Sequence, residues 1–214
     1  MGAVSATDNG LGFTPRELHE LRALRTPAGI QRAMDAMPYH LAATAWSPRR
    51  VLHEGTAHCL EGAVFAATAL RVLGFPPLLL DLEAVGDSDH VVAVYRVRGH
   101  WGAIAKSNFS GLRFREPVYR SPRELALSYF DDYMNLRGER TLRAYSQPVN
   151  LARFDRARPG WMTGDDGCGW IAEYLVGVPH TRLLTPAMIR GLSNMGTRSL
   201  RAALVGHRGS GRAH

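Results

Sequence analysis

His53-Glu54-Gly55-Thr56-Ala57-His58-Cys59-Leu60-Glu61-Gly62-Ala63-Val64-Phe65-Ala66-Ala67 reads as a polar approach to a long apolar helix that opens at Cys59. The first turn of a helix carries unpaired N–H groups and the positive end of the backbone dipole, and both favour thiolate over thiol. From Cys59 to Leu73 the residues Leu60, Val64, Ala66, Ala67, Leu70 and Leu73 populate nearly every face, so the helix is expected to be buried on most sides. Gly74 is placed to end it, and Pro76-Pro77 bars its continuation.

Working outward, Leu78 to Val85 reads as a strand that ends at the polar turn Gly86-Asp87-Ser88-Asp89. A second strand runs from His90 to Val97, Arg98-Gly99-His100 makes a tight turn, and Trp101 to Lys106 returns as a third strand. Cys59 and His90 thus stand 31 residues apart, each at the edge of a regular element, and outline a nucleophile and its general base. A third group is needed to orient the imidazole. A hairpin centred on Gly99 sets position 108 opposite position 90, which selects Asn108, with Ser107 next to it. An Asn carbonyl can accept from the ring N–H and hold one tautomer, though it stabilises imidazolium less than a carboxylate does.

Upstream, Thr14-Pro15-Arg16-Glu17 is a capping box that leads into Leu18, Leu21 and Leu24. A second helix is expected from Thr26-Pro27 through Met37, and a short turn at Ser47-Pro48. Downstream, Ser121-Pro122-Arg123-Glu124 opens a helix to about Met134, and beyond Pro148 the pattern loosens. A turn is expected at Trp161–Asp166, then helices from Cys168 to Val176 and from Thr185-Pro186 to Leu192. Residues 1–12 read as frayed and 206–214 as a disordered basic tail.

The 214 residues suit one domain with an extension, and with 45% hydrophobic and 21% charged residues the interior of the chain should be ordered. Two cysteines, Cys59 and Cys168, are too few for a disulfide framework, which favours a reducing, cytoplasmic setting. No signal peptide and no membrane-length apolar run is visible. A net charge of +7 permits nucleic-acid binding, but the arginines are scattered and no aromatic run interleaves with them, which argues against it. His53, His58, Cys59, His90 and His100 lack the spacings of a zinc site, so no metal and no cofactor is expected. Lys106 reads as a solvated strand-end charge, and Cys168 as a packed residue at a helix start.

Gly55-Thr56-Ala57-His58-Cys59-Leu60-Glu61-Gly62, the helix end Leu73-Gly74-Phe75-Pro76, Asp89-His90 before a β-run, and Gly99-His100-Trp101 together resemble the transglutaminase-like superfamily over about residues 45–110. The continuation from Lys106 to Arg120 resembles a bacterial subgroup of transglutaminase-like cysteine proteases. The resemblance implies an α+β fold with a papain/transglutaminase-like core, in which the helix carrying the cysteine packs on an antiparallel sheet. It implies Cys59 as nucleophile and His90 as general base. Where the family carries an aspartate this chain reads Ile104-Ala105-Lys106-Ser107-Asn108, so the triad is Cys-His-Asn, uses Ser107, or is incomplete.

The expected organisation is a core at 14–150, a small helical extension at 151–205 and the tail at 206–214. The expected function is cysteine-dependent acyl transfer or hydrolysis of an amide or peptide bond, as a peptidase or amidase acting on a peptide or amide-bearing substrate. The Cys59 N–H would supply one oxyanion donor. The competing expectation, favoured by the absent aspartate, is a catalytically weak or inactive fold of the same kind acting as a binding or scaffold module.

Overall fold

A computed structural model describes residues 10–209. Among them the chain forms eight α-helices and seven strands, an α+β arrangement around one antiparallel sheet. Helix α1 (Pro15–Ala23) starts on the capping box: the Thr14 N–H donates to Glu17 at 2.7 Å and the Glu17 N–H to the Thr14 hydroxyl at 3.3 Å. Helix α2 (Pro27–Ala36) follows, capped by Thr26. Ser47-Pro48 begins a helix, α3 (Pro48–Glu54), rather than the expected short turn. Proline at the first helical position is preorganised for helix, which makes the same dipeptide as good a start as a turn. Gly55, at φ 63°, ends α3 in the left-handed region that glycine tolerates.

Helix α4 (Cys59–Val72) occupies the expected span and is buried along nearly its whole length. Strands β1 (Leu78–Ala84), β2 (His90–Val97) and β3 (His100–Ile104) follow as expected, except that β3 stops two residues earlier than Lys106. The β2–β3 connection is a two-residue turn, with Arg98 at φ 49° and Gly99 at φ 84°. Pairing runs from Val97↔His100 to Ala93↔Ile104. At that register it is Ser107, not Asn108, that comes level with His90, because the loop is one residue shorter than expected.

The rest of the sheet was not expected. It comprises β4 (Arg115–Tyr119), β5 (Leu142–Ser146), β6 (Val149–Asn150) and β7 (His180–Arg182), in the order β4-β3-β2-β1-β5-β7 with β6 also on β1. Helix α5 (Pro122–Leu127) ends seven residues before Met134. The stretch read as a helical extension contains α6 (Gly169–Gly177), α7 (Pro186–Arg190), α8 (Thr197–Ala203) and also β7, which pairs with β5. It therefore contributes a strand to the central sheet.

Both faces of the sheet are covered. On one, Val91, Ala93 and Tyr95 of β2 share a buried cluster with Leu60, Ala63, Val64 and Ala67 of α4. On the other, Val92 and Val94 share a second cluster with Leu125, Ala126, Tyr129 and Tyr133. Residues of alternate parity in β2 therefore belong to different layers. The tail expected to be disordered is docked as far as it is described: both the N–H and the C=O of Arg208 bond to Asn108. Residues 1–9 and 210–214 lie outside the described residues, and with them most of the expected fraying and the end of the basic tail.

Candidate active site

Cys59 is the first residue of α4, and Gly55 lets the chain turn out of α3 to reach it. The intervening Ala57 bridges Tyr39 in parallel, with the His40 N–H donating to the Ala57 carbonyl at 3.1 Å. That bridge brings the Tyr39 hydroxyl beside the Cys59 thiol, where it favours the thiolate. The N–H groups of Cys59 and Leu60 act in the same sense, as the open turn of a helix allows.

A fourth group that favours the thiolate comes from the sheet. In a two-residue hairpin the closing pair exchanges both hydrogen bonds, so Val97, Tyr95, Ala93 and Val91 all turn their N–H toward β3. Pairing ends at Ile104, which leaves the Val91 N–H beyond the ladder, where it too favours the Cys59 thiolate. Although Cys59 is partly exposed as a residue, burial pushes its thiol up from the ordinary value, against the pull of these four groups. Tyr39 is pushed up by burial too, so this pair is protonated at neutral pH.

His90 does not join it. Its side chain has the parity of Val92 and Val94, away from α4, and is 4% exposed. Nε2 donates to the Leu112 carbonyl at 3.1 Å, and the ring stands edge-on to Tyr129 and Tyr133 at centroid distances of 6.5 and 6.4 Å. Burial, helped by the Arg115 charge, pushes its pKa down to about 4. Ser107 is buried, and its hydroxyl accepts from the Phe109 N–H at 3.0 Å. The Asn108 amide is committed to Arg208. The expected Cys59–His90–Asn108 chain of hydrogen bonds is thus not formed in this conformation, nor is the version through Ser107. The cause is parity: His90 and the α4-facing Val91 are adjacent, so they point to opposite faces.

Several charged groups near the start of α4 escaped the sequence reading. Glu61 is fully buried and holds its carboxylate against the Thr44 hydroxyl (2.6 Å), the Trp46 N–H (2.9 Å) and the His58 N–H (3.2 Å). Burial would raise its pKa, but these bonds and the nearby His58 outweigh it and leave the pKa lowered. Its signal was its place three residues after the cap, where a glutamate can reach back. Lys106 is 2% exposed rather than solvated, and burial with the Arg113 charge pushes its pKa down to about 8.

Asp81 on β1 lies opposite Val91, so it faces the α4 side, where it meets Nε2 of His180 from β7 at 3.0 Å. The His180 Nδ1 faces the Val178 carbonyl at 2.8 Å. Both ring nitrogens of His180 therefore face oxygen atoms. Burial, then the Asp89 charge, pushes Asp81 up to about 6. Its Oδ1 is buried with no partner among the described residues. No spacing in the sequence connects positions 81 and 180; only the β1–β5–β7 order does.

Cys168 is fully buried at the cap of α6, its sulfur 3.1 Å from the Trp46 carbonyl, and burial pushes its thiol up to about 12. Among the described residues no group of three or more His, Cys, Asp or Glu side chains is placed to hold a metal, and no helix is long and apolar enough to cross a membrane. No protein-family model matches the chain, and no curated protein matches it.

Proposed function

We propose that this chain is a transglutaminase-like fold that works as a binding module rather than as a thiol enzyme. The observation that supports this reading is the separation of the two expected catalytic groups across β2. Cys59 opens α4, which packs on the Val91, Ala93 and Tyr95 face of β2, while the His90 ring has the other parity and lies among Tyr129, Tyr133 and the Leu112 carbonyl. A base must come within hydrogen-bond reach of the proton it takes, and His90 has the β2 parity that points away from α4.

One observation favours the second reading, cysteine-dependent acyl transfer or hydrolysis of an amide bond. The Tyr39 hydroxyl and the N–H groups of Cys59, Leu60 and Val91 all act to favour the Cys59 thiolate, and such a setting would steady a thiolate or a developing negative charge once a base arrived.

Alkylation of Cys59 by iodoacetamide, measured against pH with Cys168 replaced by alanine, separates the two. The binding reading expects a rate that climbs with pH through the range 7 to 8.5 without levelling and is unchanged in His90→Ala. A rate already level below pH 7, and lost in His90→Ala, would establish an activated nucleophile and overturn it.

A further inference from the structure

A cavity of about 240 Å³ opens between the C-terminal end of α2 and the segment that follows β3, lined by Asp35, Lys106, Ser107, Asn108, Arg113 and Arg208. The volume suits one side chain rather than a drug-sized ligand. Its deepest charge is the Lys106 ammonium, which donates to the carbonyls of Met34 (2.6 Å) and Met37. An ammonium has three donors, so one N–H is left for the cavity. Among the described residues no carboxylate pairs with Lys106: Asp35 lies nearby but is held by Arg113 (2.6 Å) and Gln31 (2.9 Å). A charge this buried is costly without a counter-ion.

The mouth of the cavity has a second property. The Asn108 side chain takes both backbone groups of one residue, accepting from the Arg208 N–H at 2.8 Å and donating to the Arg208 carbonyl at 2.6 Å. That grip reads an extended backbone and ignores the side chain. The side chain now there is the wrong sign: the Arg208 charge acts on Lys106 so as to disfavour its protonated form. The tail fits by its backbone and clashes electrostatically by its side chain.

We propose that this cavity is a peptide-binding site, that its occupant is an extended segment placing a Glu or Asp side chain against Lys106 and Arg113, and that residues 206–209 are a poor stand-in held by the same Asn108 grip. The cavity borders Cys59 through Tyr39, which also lines it, but the proposal does not require a reactive thiol.

The test uses the full chain and three probes: the capped peptide acetyl-Gly-His-Glu-Gly-amide, its Gly-His-Arg-Gly counterpart, and acetate. The Glu peptide is expected to bind about tenfold more tightly than the Arg peptide, the equivalent of one charge-assisted contact, and acetate at equal concentration is not expected to displace it. Equal binding of the two peptides, or no binding by either, would overturn the proposal. Displacement by acetate would reduce the site to one for small anions and overturn the peptide assignment.

Lys106→Met tests the counter-charge directly but risks the core, so Arg208→Glu, on an exposed residue, is the companion variant. It should slow amide exchange of residues 206–209 about fivefold and weaken the Glu peptide by competition in cis, again the scale of one such contact. Exchange and affinity both unchanged in Arg208→Glu would refute the site.

Discussion

Gly62 of α4 and Lys106 share one spot: a Cβ built on Gly62 would lie 2.4 Å from the Lys106 Cβ and 3.2 Å from the Met34 Cε. The first atom sits next to a backbone and cannot swing aside. At an open helix site Gly→Ala gains about 1 kcal/mol; here overpacking should reverse the sign, at a net cost of about 1–3 kcal/mol. Thermal denaturation of Gly62→Ala should show Tm lowered by about 2–4 °C per kcal/mol. A Tm equal to or above that of the parent would mean that Lys106 is not seated on α4.

Two buried groups oppose one another between pH 4 and 6.5. His90 titrates at about 4 when folded against 6.5 when free, so its contribution is fully present above 6.5 and is lost as pH falls toward 4. The size is about 3 kcal/mol. Asp81 titrates at about 6 when folded against 3.8, so its contribution is present below 3.8 and is lost as pH rises through 6. Urea unfolding of the parent should therefore change little across this range. Asp81→Asn should expose a steep loss of stability toward acid, and His90→Phe should make the protein more stable toward acid. Two variants with the parent's pH profile would show that neither group is buried in the state assigned to it.

The Tyr39 hydroxyl beside Cys59 favours the thiolate even though burial prevails. Tyr39→Phe should slow alkylation of Cys59 at pH 8.5 about fivefold, the scale of one lost hydrogen bond. A rate that rose instead would mean that the ring shields the sulfur more than the hydroxyl assists it.

The Glu61 carboxylate gathers the Thr44 hydroxyl and the backbone N–H groups of Trp46 and His58, tying the 40–58 segment to the start of α4. Glu61→Leu would strand those donors in a dry site at a cost of about 3 kcal/mol or more. Chemical denaturation checks the number. Because Cys59 is two residues away, faster alkylation is expected to accompany the loss.

Much of the fold is legible from residue chemistry. The capping box at Thr14-Glu17 starts α1, the apolar run after Cys59 is α4, and Arg98-Gly99 turns β2 into β3. Strands β4 to β7 were not legible, because they are two to five residues long and two of them lie where the hydrophobic pattern has loosened. The site was half legible. Cys59 at a helix start follows from local sequence; Tyr39, Asp81 and His180 come from remote segments joined by the bridge at Ala57 and by the sheet order.

The sequence by itself determined that a cysteine opens a buried helix and that a histidine opens the strand with which that helix packs. Only the tertiary structure decided that they face apart. A strand covered on one side shows its orientation as alternating polar and apolar residues, but β2 from His90 to Tyr95 is buried without alternation, since α4 lies on one face and α5 with Tyr129 and Tyr133 on the other. With both faces apolar, nothing local says which parity meets α4. That choice is made by the packing of α4, and it gives the helix Val91 and leaves His90 on the far side.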